Sequence, residues 1–234
     1  MILNNNTENQ GIQMYGGTIS AENIAVGKKA RAIKNISKTE DIVSEKSEYA
    51  VKTILILAAN PKTTPPLRLD EEVREIDTGL QRAKKRELFD LKQRWAVRVR
   101  DVYQSLLDFK PQIVHFSSHG AGNDGLALED ENGKVQLVST EGLAELFKLF
   151  ANQVECVLLN ACYSEVQAKV IVQHIPYVIG MNKAIGDKAA IEFAVGFYNA
   201  LAAGESIEFA YQLGCTAIRL AGIPEHFIPV LQKR

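Results

Sequence analysis

Long apolar runs, paired cysteines and an excess of either charge are all missing from this chain. No stretch reaches the ~18 uninterrupted apolar residues that a membrane-spanning helix needs, so no span is expected. Cys156, Cys162 and Cys215 are an odd set with no CxxC pair. That excludes a disulfide framework and zinc-type spacing, and it fits a cytoplasmic setting. With 27 basic and 28 acidic residues the net charge is −1, too little to draw nucleic acid or an anionic membrane. The one basic run, Arg82 to Arg86, reads as the end of a helix, where cations suit the negative dipole end. The start, MILNNNTENQ, lacks a basic segment followed by an apolar core and does not read as a signal peptide.

What is there suits a globular α/β protein. The 234 residues, 46% hydrophobic and 24% charged, fit one large domain or one domain with a small appendage. Residues 1–48 are rich in Asn, Gly, Thr and Lys and poor in large apolar side chains. GIQMYGGTISAENIAVG mixes short β-prone runs with glycines, and a polar helix or linker follows. This segment reads either as a floppy leader or as a small β appendage for docking or self-association. The domain boundary is placed near Glu48, giving 1–48 and 49–234.

From Val51 strands and helices alternate. KTILILAAN is a β-branched and apolar run that suits a buried parallel strand. Leu69, Val73, Ile76 and Leu80 have helical spacing, with acids early and bases late. ELFDLKQRWA is a second strand, VRVRDVYQSLLDF a helix ended before Pro111, and QIVHFSS a third strand. GLALEDENGKVQLV alternates, turns at Glu131-Asn132-Gly133 and alternates again, a hairpin pattern. Ser139 or Thr140 caps the next helix, VECVLLNACYS is a fourth strand, and YVIGMN a fifth. Two helices and a closing strand, HFIPVLQ, complete the chain. The order implies a mainly parallel sheet with helices on both faces. In such sheets the site lies beyond the carboxyl ends of the strands. Two ends stand out there: SSHGAG and NACYS.

Cys156 and Cys215 sit inside apolar elements and read as small hydrophobes. Cys162 lies where a strand stops and a helix begins, so its sulfur can be reached. His119 lies 43 residues earlier, at the end of the preceding core strand. Adjacent strands ending in these two groups can place them across one cleft. A thiol that ionises is a strong nucleophile, and an imidazole can move its proton. The N–H groups of Gly120 and Cys162 are the candidate oxyanion donors, with Ala121 and Gly122 leaving room for a substrate backbone.

VHFSSHG, GLALED, VLLNACYS and VIGM, taken in order, resemble the caspase-like cysteine peptidases of the CHAT group, relatives of metacaspases and separase. The resemblance covers roughly residues 52 to 220. It implies a caspase-like three-layer α/β sandwich beside the small N-terminal appendage, and a catalytic dyad of His119 and Cys162. Arg-specific relatives carry an acid in the first pocket, and metacaspase-like patterns place an Asp two residues before the nucleophile. Here that position is Asn160, which weakens an expectation of Arg or Lys at the cleavage site. Asp187 matches an acid after the fifth strand that can bind a basic residue; it reads equally as the N-cap of the next helix. The resemblance further implies a protein substrate; neither a cofactor nor a metal is expected. It also suggests an effector role in bacterial defence or cell death, triggered by a partner or ligand through residues 1–48, which could instead be an oligomer contact.

Other readings carry less. Gly120, Gly122 and Gly125 spell G-x-G-x-x-G, but a hairpin follows where a dinucleotide site needs a helix. His115 and His119 are four apart without a clear third metal ligand, and His115 reads as a packed histidine. His174 and His226 receive no role. Ser117, Ser118 and Ser164 are not in G-x-S-x-G and read as strand-end groups or supports for His119. Asp124, Glu129 and Asp130 read as solvated turn residues, with a regulatory cation at Asp130 or Glu129, as in some relatives, the alternative. Two other functions compete with the peptidase: a catalytically silent scaffold or adaptor recruited through its N-terminal segment, and a nucleotide-using hydrolase of the TIR type. The latter would need a Glu in a cleft, whereas Glu71 and Glu72 read as helix N-terminal acids.

Overall fold

Alternation along the strands divides the core into two. The computed structural model describes residues 51–234. The boundary expected near Glu48, and the β-prone leader before it, lie outside the described residues. The elements follow one another as β1 (Lys52–Ala58), α1 (Leu69–Arg82), β2 (Phe89–Trp95), α2 (Val99–Phe109) and β3 (Ile113–Ser117). Then come β4 (His119–Gly120), β5 (Leu126–Glu129), β6 (Val135–Val138), α3 (Thr140–Leu149), β7 (Cys156–Asn160) and α4 (Glu165–Ile171). The chain closes with β8 (Tyr177–Met181), α5 (Asp187–Ala203), α6 (Ile207–Leu220) and β9 (Pro229–Lys233).

Six strands form one sheet in the order β2-β1-β3-β7-β8-β9. Its first five strands run parallel, and β9 pairs antiparallel with β8. Ile54 and Ile56 of β1 and Leu158 of β7 pack with Val73 and Ile76 of α1 and Phe193 and Phe197 of α5, and Ile218 of α6 joins them. The intervening residues Leu55, Leu57, Val114 and Leu159 face Leu106 of α2, Phe147 of α3 and Ala168 of α4. A period of two thus sends successive side chains to opposite helical layers, so the strands read as continuous apolar runs. The expected mainly parallel sheet covered on both faces is the one observed.

A second, three-stranded sheet, β4-β5-β6, stands beside the first. It contains the hairpin read from the sequence, with Asp130 Oδ1 accepting from the N–H groups of Asn132 and Lys134 to shape its turn. It also changes the reading of His119, which is not the last residue of a core strand. β3 stops at Ser117 because its neighbour β7 stops opposite, at Asn160. The chain then leaves the large sheet, and His119 pairs antiparallel with Ala127.

Two further expectations differ. The basic run lies mostly beyond α1, which ends at Arg82 because Ala83 turns to extended backbone. Glu129 is buried rather than solvated, its Oε1 accepting from the Asn60 N–H at 3.1 Å. Of the two caps expected for α3, Ser139 is the one used, accepting from the Gly142 N–H at 3.1 Å.

The layering makes a stability prediction. Leu158→Ala, in the fully buried middle of β7, should lower unfolding free energy by about 2–5 kcal/mol through lost transfer energy and the cavity left behind. Leu149→Ala, at a position 81% exposed, should stay within about 0.5 kcal/mol of the parent. Urea unfolding followed by circular dichroism checks both.

Candidate active site

The register of β3 against β7 sets which side chains share a face at the carboxyl ends. Ile113 pairs with Cys156, His115 with Leu158 and Ser117 with Asn160. Alternation therefore turns His115, Ser117 and Asn160 toward the layer of α1 and α5. Beyond them the chain leaves both strands, and a cleft opens. His119, Cys162, Asn160 and Asp187 all line it, together with Glu72, Ser117 and Ile185.

His119 is held from β1's side. Its Nε2 lies 2.8 Å from the carbonyl oxygen of Pro65, in the loop between β1 and α1. A carbonyl only accepts, so Nε2 carries the proton and Nδ1 keeps its lone pair. No feature of the sequence marked Pro65, because a backbone carbonyl is available from any residue.

Cys162 follows β7 and is partly exposed, with Sγ 3.8 Å from the Ile185 carbonyl oxygen. The turn is tight: Tyr163 has φ +59°, a left-handed conformation costly for an aromatic residue. Hydrogen bonds hold it, with the Tyr163 N–H donating to Lys183 O at 3.2 Å. Ser164 Oγ donates to Leu159 O at 2.8 Å and accepts from the Met181 N–H at 3.0 Å, joining the ends of β7 and β8. Ser164 is thus a brace between strands rather than a nucleophile. The other two thiols are poorly suited to chemistry. Burial pushes both Cys156 and Cys215 up, and Cys156 is fully enclosed.

Gly120 lies against the Cys162 backbone. A Cβ on Gly120 would come within 2.0 Å of the Cys162 carbonyl oxygen and 3.0 Å of its nitrogen. Only glycine permits that approach. The Ala121 N–H donates to Gly125 O, so by antiparallel alternation the Gly120 N–H points away from β5. Among the described residues the Cys162 N–H has no acceptor.

Beneath these groups sits a buried carboxylate that the sequence reading treated as an ordinary helix-start acid. Glu72 is 3% exposed. It accepts from Ser117 Oγ, and from Asn160 Nδ2 at 2.5 Å. His115 Nε2 is 3.2 Å from Glu72 Oε1 without hydrogen-bond alignment, and its Nδ1 is 3.2 Å from the Tyr198 hydroxyl. Ser117 therefore serves Glu72, not His119, while Ser118 Oγ reaches the His119 carbonyl at 3.3 Å. A signal for Glu72 existed. It lies three residues after Leu69 and four before Ile76, on the apolar face of α1. His115 is the packed histidine expected, stacked on Tyr198. Among the described residues no group of three or more His, Cys, Asp or Glu could hold a metal ion.

Asp187 is the first residue of α5 but not its cap, which is Gly186. The Gly186 N–H donates to Glu225 Oε2 at 2.8 Å. Asp187, at the start of α5, lines the cleft beside Ile185 of the preceding loop. Among the described residues no helix is long and apolar enough to cross a membrane.

Known proteins resemble the chain as a whole. The CHAT domain profile matches residues 18–212. A probable protease of Gillisia limnaea is 28% identical over 201 residues, 79% of this chain and 35% of that protein. A Roc-COR-CHAT protease from an unknown prokaryotic organism is 24% identical over 215 residues, 86% of this chain and 20% of that protein. The chain thus spans about a third of one relative and a fifth of the other. The crystal structure of the Drosophila initiator caspase Dronc superposes with a TM-score of 0.51, covering 94% of this chain and 92% of Dronc at 9% identity. That likeness is one of fold. This chain belongs to the CHAT domain family, and its described residues carry a caspase-like fold.

Proposed function

We propose that this chain is a cysteine endopeptidase in which Cys162 and His119 form a catalytic dyad. One observation carries the reading. The only partly exposed thiol that follows a strand and an imidazole of assigned tautomer line the same cleft, beyond the ends of the neighbouring parallel strands β3 and β7. Two relatives named as proteases support it.

The chemistry follows from the groups. The lone pair on His119 Nδ1 takes the Cys162 thiol proton, and the thiolate attacks the scissile carbonyl carbon. The oxyanion that forms accepts from the N–H groups of Gly120 and Cys162, which the tight backbone contact holds side by side. The imidazolium returns its proton to the leaving amine, and the C–N bond breaks to leave a thioester. Water, deprotonated by His119, attacks that thioester, the acid product leaves, and the thiol is restored. The Pro65 carbonyl stabilises the imidazolium and fixes the ring.

In the same reading the peptidase is an effector of a bacterial defence or cell-death pathway, acting on a protein substrate and switched through residues 1–48.

Cys162→Ala should reduce cleavage of a peptide library to background, and cleavage persisting in purified Cys162→Ala protein overturns the reading. His119→Ala should lower kcat by about 10²–10⁴. Gly120→Ala, which must push the Cys162 backbone away, should lower kcat by about 10²–10³ with a smaller change in KM. Steady-state kinetics on one cleaved peptide reads both. Deletion of residues 1–48 should change activation or assembly, measured by activity and by light scattering.

A further inference from the structure

The turn that follows His119 has little of its own to fix its place. Gly120 and Gly122 flank Ala121, and neither has a side chain to pack. Within the turn the Ala121 N–H donates to Gly125 O at 2.9 Å, the Asp124 N–H to Ala121 O at 3.1 Å and the Gly125 N–H to Gly122 O at 3.1 Å. These bonds keep its shape. They do not set where it stands against Cys162, and the Gly120 N–H can meet an oxyanion only when that placement is held.

Gln167 supplies the hold. It lies on α4, the helix that begins just beyond Cys162, and is fully buried. Its Nε2 donates to Gly122 O at 2.7 Å and to Oγ1 of Thr140, the first residue of α3, at 2.8 Å. Among the described residues this is the one side-chain hydrogen bond made to residues 121–125. Gly122 also lies against the nucleophile's neighbour, where a Cβ would touch Tyr163 Cβ at 3.7 Å. The amide itself adds an independent observation. The Gly122 carbonyl can only accept, so the amide must turn its nitrogen toward it. Both hydrogens are then used, and the oxygen is left buried with no partner. An orphan buried acceptor is unfavourable, and an apolar side chain would fill the same space without one. What the amide alone provides is a donor aimed at one carbonyl of the turn beside His119.

We propose that Gln167 is a positioning residue for the oxyanion site: it ties the turn after His119 to the helix after Cys162, and so holds the Gly120 N–H beside that of Cys162. This rests on the peptidase reading. Gln167 touches no substrate and acts through the backbone of Gly120, two residues before the carbonyl that it binds. Thr140 sets the rotation of the amide by taking its second hydrogen.

Full-length Gln167→Leu protein tests it, assayed on a peptide that the wild-type protein cleaves. Its kcat should fall roughly ten- to a hundredfold, less than the loss of a whole donor, with KM within about threefold. A peptide aldehyde of the same sequence should bind more weakly by a similar factor, because its adduct with Cys162 places an oxygen between the same two N–H groups. Iodoacetamide alkylation of Cys162 should keep its rate within about twofold, since a thiolate that displaces iodide at a methylene carbon forms no oxyanion. A kcat equal to wild type in folded protein overturns the inference. So does alkylation that slows in step with kcat, which puts the defect in the dyad. Thr140 gives a second pair of variants. Thr140→Val, which removes the acceptor for the second amide hydrogen, should lower kcat roughly three- to tenfold with alkylation unchanged, and Thr140→Ser, which keeps the hydroxyl, should not. Should Gln167→Leu fail to fold, that pair decides, and equal kcat in the two overturns the inference. Cleavage that survives Cys162→Ala removes the peptidase reading itself, whereas Cys162-dependent cleavage indifferent to Gln167→Leu overturns the inference and leaves that reading standing.

Discussion

One buried carboxylate holds the site together. Glu72 reaches from the first turn of α1 and accepts from Ser117 at the end of β3 and Asn160 at the end of β7. It lies beside His115, which contacts Tyr198 of α5. Four elements are thereby joined at the level where the parallel strands end. Burying a charge is unfavourable unless its lone pairs are used, and here donors from two strands use them. The same contacts that satisfy the carboxylate fix the spacing of the strand ends from which the chain runs on to His119 and Cys162.

Backbone contact does the rest. The loop after β3 comes so close to the loop after β7 that Gly120 has no room for a Cβ. Gly180 of β8 repeats the pattern one strand further on, where a Cβ would meet the Ser164 carbonyl oxygen at 2.7 Å. Between them Tyr163 is held at φ +59° by the Lys183 carbonyl, and Ser164 braces β7 to β8. Strain at one residue persists because its neighbours over-determine it, which is the usual condition for a preorganised turn. The thiol at Cys162 sits where these constraints meet.

Much of the fold was legible in local pattern. Continuous apolar runs marked the parallel strands, the spacing of Leu69, Val73, Ile76 and Leu80 marked α1, and Ser139 marked the start of α3. His119 and Cys162 were visible as polar groups ending apolar runs. What escaped depended on contacts between segments far apart in sequence. Glu72 looked like an ordinary dipole-facing acid because its partners lie 45 and 88 residues away. Glu129 looked solvated because the Asn60 N–H that it meets is 69 residues distant. His119 looked like the last residue of β3 because nothing local shows that β7 also stops there.

The amino-acid sequence alone determined which segments are strands and helices, and hence a mainly parallel sheet with one imidazole and one thiol shortly beyond the carboxyl ends of its strands. Those properties depend on periodicity and on chemical identity, which are local. Tertiary structure alone decided that a glutamate on α1 lies under both strand ends, that a proline carbonyl sets the tautomer of His119, and that Asn160 faces that glutamate with its amide nitrogen. Each of these is a matter of register and approach between distant segments, where buried polar groups must find partners in whatever the fold brings near.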